Sequence, residues 1–463
     1  MPVLSPPNPK IALGRDTSTP FDILCVNRPR RTRPIESRKG KAKSYMDKTV
    51  KALEAIEILD SRSRPTLAVT ITLGDGTVAR AGVPSGASTG SREAVELRDG
   101  DDHRYGGLGV LQAVGHVNKG IASALAGRVF TNLGELDQVL IDLDGSENKS
   151  RLGANAIVGV SIAAARAFAW SEGLQLWEYL RPADITASLP VPHFNVVNGG
   201  AHAQNSLDFQ EFMIAPIGAP SFAEALRAGS EIYTKLRGIL SDEFSATGLG
   251  DEGGFAPPIN QPERVLRLLV RAIDEAGYRP DRDSVAIAID PAASEFYRDG
   301  RYHVAGESLS NADMITWYEE LVDAFPVWLL EDGLAESDWE GWRELNRRLG
   351  DKLELVGDDI LCTNPVIIAD AIKEDIANSA LIKVNQIGTV SETLEAMRMC
   401  REAGWGQFVS HRSGETEDTF IADLAVGSGC GHLKSGAPAR GERTAKYNRL
   451  VEIEAAASLR YGL

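Results

Sequence analysis

The sequence predicts an α/β protein, built as an N-terminal α+β domain followed by an eight-stranded β/α (TIM-like) barrel. Three observations carry that expectation: an early β-meander with an Asp-Gly turn, a later alternation of apolar β-rich runs with helical stretches, and a charged or polar residue closing each of those runs. The chain has 463 residues, 43% of them hydrophobic and 25% charged. It is therefore long enough to bury a large core, and a wholly disordered, collagenous or coiled-coil chain is excluded.

Residues 1–45 stand apart. They hold ten Lys/Arg against three Asp/Glu and the Pro/Arg-rich run Arg28-Pro29-Arg30-Arg31-Thr32-Arg33-Pro34, with no apolar periodicity, so a disordered basic extension is expected. Met46 follows directly and is a candidate translation start. The remaining thirty-nine Lys/Arg face sixty-two Asp/Glu, and an acidic body repels nucleic-acid backbones in general. A nucleic-acid or degradosome-type partner for the arm has no further support. Four scattered cysteines, Cys25, Cys362, Cys400 and Cys430, form neither a disulfide framework nor a CxxC metal site. No signal-peptide pattern opens the chain, so a cytoplasmic protein is expected, with a second surface or secreted role left open.

The elements follow in order. Residues 52–60, 66–73 and 78–83 alternate as strands, with Gly74-Asp75-Gly76 turning between the last two. Residues 155–173 are apolar on nearly all sides and predict a buried helix ended by Gly173; Arg166 interrupts the run, so it is not read as a membrane span. Residues 46–185 thus make the N-terminal domain and 186–463 the barrel. In the barrel, strands at 194–197 and 211–217 precede helices at 222–243 and 262–276. Strand runs then recur at 285–289, 327–330, 353–356, 380–384, 407–409 and near His432-Leu433. Six such strand–helix units imply a parallel sheet, and the two earlier strands complete eight.

Strand C-termini of a parallel barrel share one rim, so Asp290, Glu331, Asp358, Lys383, His411-Arg412 and Lys434 are expected at a single mouth. Three carboxylates brought together repel one another unless a cation joins them. Asp290, Glu331 and Asp358 are therefore the predicted metal ligands, and Mg²⁺ is the predicted ion because no His or Cys cluster accompanies them. A lysine near that cation and a second ammonium is pushed toward its neutral form, so Lys383 is the predicted general base. Three small-residue loops carry further groups: 84–90 (PSGASTG), 198–205 with His202, and 250–257 with Glu252.

These motifs resemble the enolase family, the phosphopyruvate hydratases of glycolysis, most nearly its bacterial members. The matching stretches include 84–101 (PSGASTGSREAVELRDGD), 144–157 (DGSENKSRLGANAI), 381–389 (LIKVNQIGT) and 410–418 (SHRSGETED), within a likeness that spans residues 50–455. The resemblance implies a barrel of enolase type and a hydro-lyase: reversible dehydration of 2-phosphoglycerate, a phosphorylated three-carbon acid, to phosphoenolpyruvate with two Mg²⁺. It implies that Lys383 takes the C2 proton and that Glu252, supported by Glu211, protonates the departing hydroxyl. It further implies that Ser88 reaches the second magnesium, Arg412 and Ser413 grip the phosphate, Lys434 neutralises the carboxylate region, and His202, Gln210 and His411 complete the pocket. A homo-oligomer, dimer or higher, and no membrane association are also implied.

The chain departs from the family pattern in places. Arg62-Ser63-Arg64-Pro65 replaces the usual Arg-Gly-Asn-Pro, Gln204 stands where an acidic or small residue is common, and Pro291 follows Asp290. The alternative activity is that of a paralogue acting on a related phosphorylated or phosphonate acid.

Overall fold

The computed structural model describes residues 47–87, 89–203, 205–244 and 248–462. The expected basic extension, Met46, Ser88 and Gln204 lie outside the described residues.

The N-terminal part opens with three antiparallel strands, Val50–Leu59, Pro65–Leu73 and Val78–Gly82. The first alternates buried and exposed side chains, whereas the central one is buried almost throughout because helices cover its inner face. The covering helix, Ala154–Ser171, is apolar on nearly every side. Its composition would let it cross a bilayer, yet most of it is packed inside the protein. It stops where expected, with Gly173 at φ +73° just past its end. Gly159 faces Val69 and Val83, where an added Cβ would come within 2.7 Å and 2.9 Å of their methyl groups, so a small residue lets helix and sheet touch.

Eight strands then close a barrel: Val191–Asn198, Glu211–Ala215, Ala286–Asp290, Val327–Glu331, Glu354–Gly357, Ser379–Ile382, Gly406–Ser410 and Gly431–Lys434, the last pairing with the first. Helices such as Asn311–Ala324, Trp339–Leu349 and Val390–Glu402 return the chain between the later strands, as parallel neighbours require. Met213, Ala288, Leu329, Val356, Leu381 and Phe408, each from a different strand, form a separate apolar cluster of the kind that fills such a barrel.

One expectation is corrected. The sheet is not parallel throughout, because Glu211–Ala215 runs antiparallel to both neighbours, with Glu211 opposite Asp290. The connection from the first strand spans only residues 199–210, whose described residues carry a single short 3-10 turn, so the chain reverses at the rim instead of crossing over. Glu211 therefore reaches the rim at the start of its strand, while its partners reach it at the ends of theirs. Pro291 leaves Asp290 in the sheet: Gln210 N donates to Asp290 O at 3.0 Å, and Ala292 N to Asp290 Oδ1 at 2.8 Å.

Candidate active site

At the rim, one pocket is lined by His202, Gln210, Glu211, Glu252, Asp290, Lys383, Ser410, His411, Arg412, Ser413 and Lys434. Glu331 and Asp358 join it through the two lysines. Lys434 Nζ lies 3.0 Å from Glu211 Oε2, 3.2 Å from Asp290 Oδ2 and 2.7 Å from Glu331 Oε1. Lys383 Nζ pairs instead with Asp358, whose other oxygen accepts from Gln386 Nε2 at 2.8 Å. The three predicted metal ligands thus divide, two around Lys434 and one against Lys383.

The turns at the strand ends aim these groups. Asp332, at φ +41°, accepts the backbone N–H groups of Asp358 at 2.8 Å and Asp359 at 3.0 Å, which fixes the turn that presents Asp358. Thr363 Oγ1 accepts Lys383 N at 2.9 Å and donates to Gln386 Oε1 at 2.7 Å.

On the other side of the pocket two carboxylates flank His202, whose Nδ1 lies 3.4 Å from Glu211 Oε1 and 3.5 Å from Glu252 Oε1. Glu252 Oε2 receives Asn195 Nδ2 at 2.8 Å and faces His411 Nε2 at 3.3 Å. Burial and the neighbouring Glu252 charge push Glu211 up. Burial also acts upward on Glu252, but the imidazoles of His411 and His202 hold it well below the usual carboxylate range. The pair is split, with the proton favoured on Glu211.

The neutral form expected of Lys383 depends on a neighbouring divalent cation, and the protein's own groups set its starting point. Burial acts most strongly and lowers its proton affinity, the Asp358 carboxylate raises it, the Arg412 and Lys434 charges lower it, Glu331 raises it, and the net shift from the protein's own groups is upward.

Arg412 is buried and its guanidinium reaches Glu93 Oε2 at 2.9 Å and Asn385 Oδ1 at 3.1 Å. Ser413 Oγ accepts from Arg62 Nη1 at 3.0 Å. Glu93, Asn195, Gln386, Arg62 and Arg443 were not predicted at the site. Glu93 and Gln386 sit inside the motifs 84–101 and 381–389, and Asn195 and Arg443 inside the further matching stretches 194–218 and 434–453, so their position there was the available signal.

Asp290, Glu331 and Asp358 offer only oxygen and are buried, and Glu331 is pushed well up by burial, by Asp290 and by its neighbours Glu211 and Asp358. Such mutual repulsion among oxygen donors fits a hard divalent cation. Two compact sets have ligand atoms within 4.8 Å of one another, His202 with Glu211 and Glu252, and Asp332 with Asp358 and Asp359.

A β/α barrel whose rim joins buried carboxylates to two lysines and an arginine defines a class, the cation-assisted acid–base enzymes of small anions. Comparison with known proteins makes this specific. Residues 186–460 match the family model described as enolase, C-terminal TIM barrel domain, and residues 50–180 match that of the enolase N-terminal domain. The chain is 57% identical over 405 residues to a protein named Enolase from Acidothermus cellulolyticus, covering 88% of this chain and 94% of the relative. It is 52% identical over 408 residues to Enolase 1 of Chlorobaculum tepidum, covering 88% and 95%. Against Enolase 1 of Methylococcus capsulatus the identity is 53% over 413 residues, covering 88% and 97%. The chain belongs to the enolase family.

Proposed function

We propose that the protein catalyses the reversible dehydration of 2-phosphoglycerate to phosphoenolpyruvate, with Lys383 as base and the Glu211–Glu252 pair as acid. The observation that carries this reading is the placement of Lys383 and the His202-bridged carboxylates along one pocket, with Lys434 and Arg412 supplying positive charge. A C2 hydrogen beside a carboxylate is too weakly acidic for an amine alone, and two Mg²⁺ ions would supply the charge stabilisation that lowers this barrier. Asp290, Glu331 and Asp358 would hold the first ion, and Ser88 would reach the second.

The remaining roles belong to the chain itself. Lys383 Nζ receives the C2 proton, and Glu252 delivers a proton to the C3 hydroxyl, resupplied from Glu211 across His202. Arg412 exchanges its contact with Glu93 for the substrate phosphate, and Ser413 adds a hydroxyl donor. Lys434 offsets the carboxylate charge, and Gln210 and His411 close the pocket. Residues 46–185 act as a lid and 186–463 as the catalytic part, so that closure excludes water. Ile56 and Leu59 are exposed on the first strand, which supports a homo-oligomer. Cys362, Cys400 and Cys430 are unpaired and buried, which supports a reducing, cytoplasmic setting.

The test is turnover of 2-phosphoglycerate, followed by the absorbance of the enol product, with and without a chelator. Activity abolished by chelation and restored by Mg²⁺ is expected. A folded, Mg²⁺-loaded protein that leaves 2-phosphoglycerate unchanged removes the reading.

A further inference from the structure

Arg443 is fully buried in the helix Gly441–Ala456, yet its guanidinium hydrogen-bonds to no carboxylate among the described residues. Glu442 Oε1, 3.6 Å from Nε, is beyond hydrogen-bond reach. Its donors go elsewhere. Nη1 donates to Arg412 O at 2.7 Å and to the Nδ1 atom of His411; Nη2 donates to Ser413 O at 2.6 Å and to Asp251 O at 3.1 Å. One side chain therefore ties the loop that carries Glu252 to the loop that carries His411, Arg412 and Ser413.

The chemistry of the contact with His411 sets a direction. A guanidinium keeps its proton and has no acceptor, so the nitrogen that it faces must be the one with the lone pair. His411 is buried and held down to about 3, so its ring is neutral and carries a single hydrogen. With Nδ1 bare, that hydrogen sits on Nε2, 3.3 Å from Glu252 Oε2. Oε2 then receives a hydrogen from Asn195 and has the Nε2–H of His411 facing it at 3.3 Å, which leaves little room for a proton of its own. Oε1, on the side of His202 and Glu211, has none of these donors.

We propose that Arg443 is a positioning residue, fixing the His411 tautomer so that Glu252 exchanges its proton through Oε1 alone. This rests on the role of Glu252 as acid proposed above. Without Arg443 the ring is able to place its hydrogen on Nδ1 and turn a lone pair toward Oε2. That oxygen would then attract a proton facing away from His202, and transfer from Glu211 would lose its route.

The test uses the full chain labelled with ¹⁵N-histidine, in which His411 is assigned among the seven histidines by its loss in His411→Asn. The wild-type protein is expected to show a bare Nδ1 and a protonated Nε2 at His411. Arg443→Met is expected to populate the Nδ1–H form and to lower kcat by about 10²-fold, the scale of a misplaced catalytic group. Arg443→Lys, which keeps a charged donor toward Nδ1, is expected to retain the tautomer and to recover most of kcat. A wild-type His411 with its hydrogen on Nδ1 overturns the proposal, and this measurement stands even if Arg443→Met fails to fold. An Arg443→Met protein that keeps the tautomer and changes only KM also overturns it, since Arg443 would then merely hold the Arg412–Ser413 loop. Retained turnover in Glu252→Gln would instead remove the role of Glu252 and leave the tautomer measurement unaffected.

Discussion

Asp137 offers a quantitative test of how the N-terminal part is fastened to the barrel. It lies buried in the helix Leu133–Asp144, and its Oδ2 accepts Ser391 N at 3.0 Å and Ser391 Oγ at 2.6 Å, in the first turn of the barrel helix Val390–Glu402. Its Oδ1 has no hydrogen-bond partner among the described residues. Burial, only partly offset by the serine hydrogen bonds, raises the carboxyl from 3.8 to about 6. At about 1.4 kcal/mol per pH unit, the ionised form then costs about 3 kcal/mol of folding stability at neutral pH. Because the folded value lies above the unfolded one, the stabilising contribution is complete below pH 4 and disappears as pH rises through about 6.

Asp137→Asn removes that dependence. It also buries an amide lacking a partner, at about 1 kcal/mol. The variant should therefore be more stable than wild type by about 2 kcal/mol above pH 7, and less stable by about 1 kcal/mol below pH 4. Urea unfolding of both proteins from pH 4 to 8 gives the difference directly. A variant destabilised by the same amount at every pH would show that Asp137 folds as an ordinary ionised helix cap, and the reasoning from burial would be wrong.

Two further outcomes are expected. Lys383→Ala should lose turnover by about 10³-fold or more while its far-UV circular dichroism stays that of wild type, and near-normal turnover would refute its role as base. Ser63 adopts φ +60° in the turn where Arg62 N and Arg64 N both donate to Asp60 Oδ1. Ser63→Gly should relieve that conformation and stabilise the protein by about 0.5–1 kcal/mol in urea unfolding, and a loss of stability would show that the turn is not strained.

The strands of the barrel were legible because each is a short apolar run closed by a polar residue, and Asp290, Glu331 and Lys434 do lie at or inside the ends of their strands. Strand direction was not legible at Glu211–Ala215, since local pattern reports burial and not which way a neighbour runs. The strip of three short strands between Tyr297 and Leu309 also escaped notice, as it is too short to show a period. At the site, residues with conspicuous chemistry in expected positions were found. Those whose importance lies in what they hold, such as Arg443 and Asn195, were missed, because sequence separations of 32 from His411 and 57 from Glu252 say nothing of contact.

The reversed second strand couples two carboxylates of the rim mechanically. Glu211 and Asp290 are opposite one another on a shared run of five cross-strand partners, so neither can slide along the sheet without the other side chains of that run leaving the interior. A slip of two residues would put Met213 where Glu211 now faces Asp290, so that a thioether would stand at the rim in place of one of its two facing carboxylates.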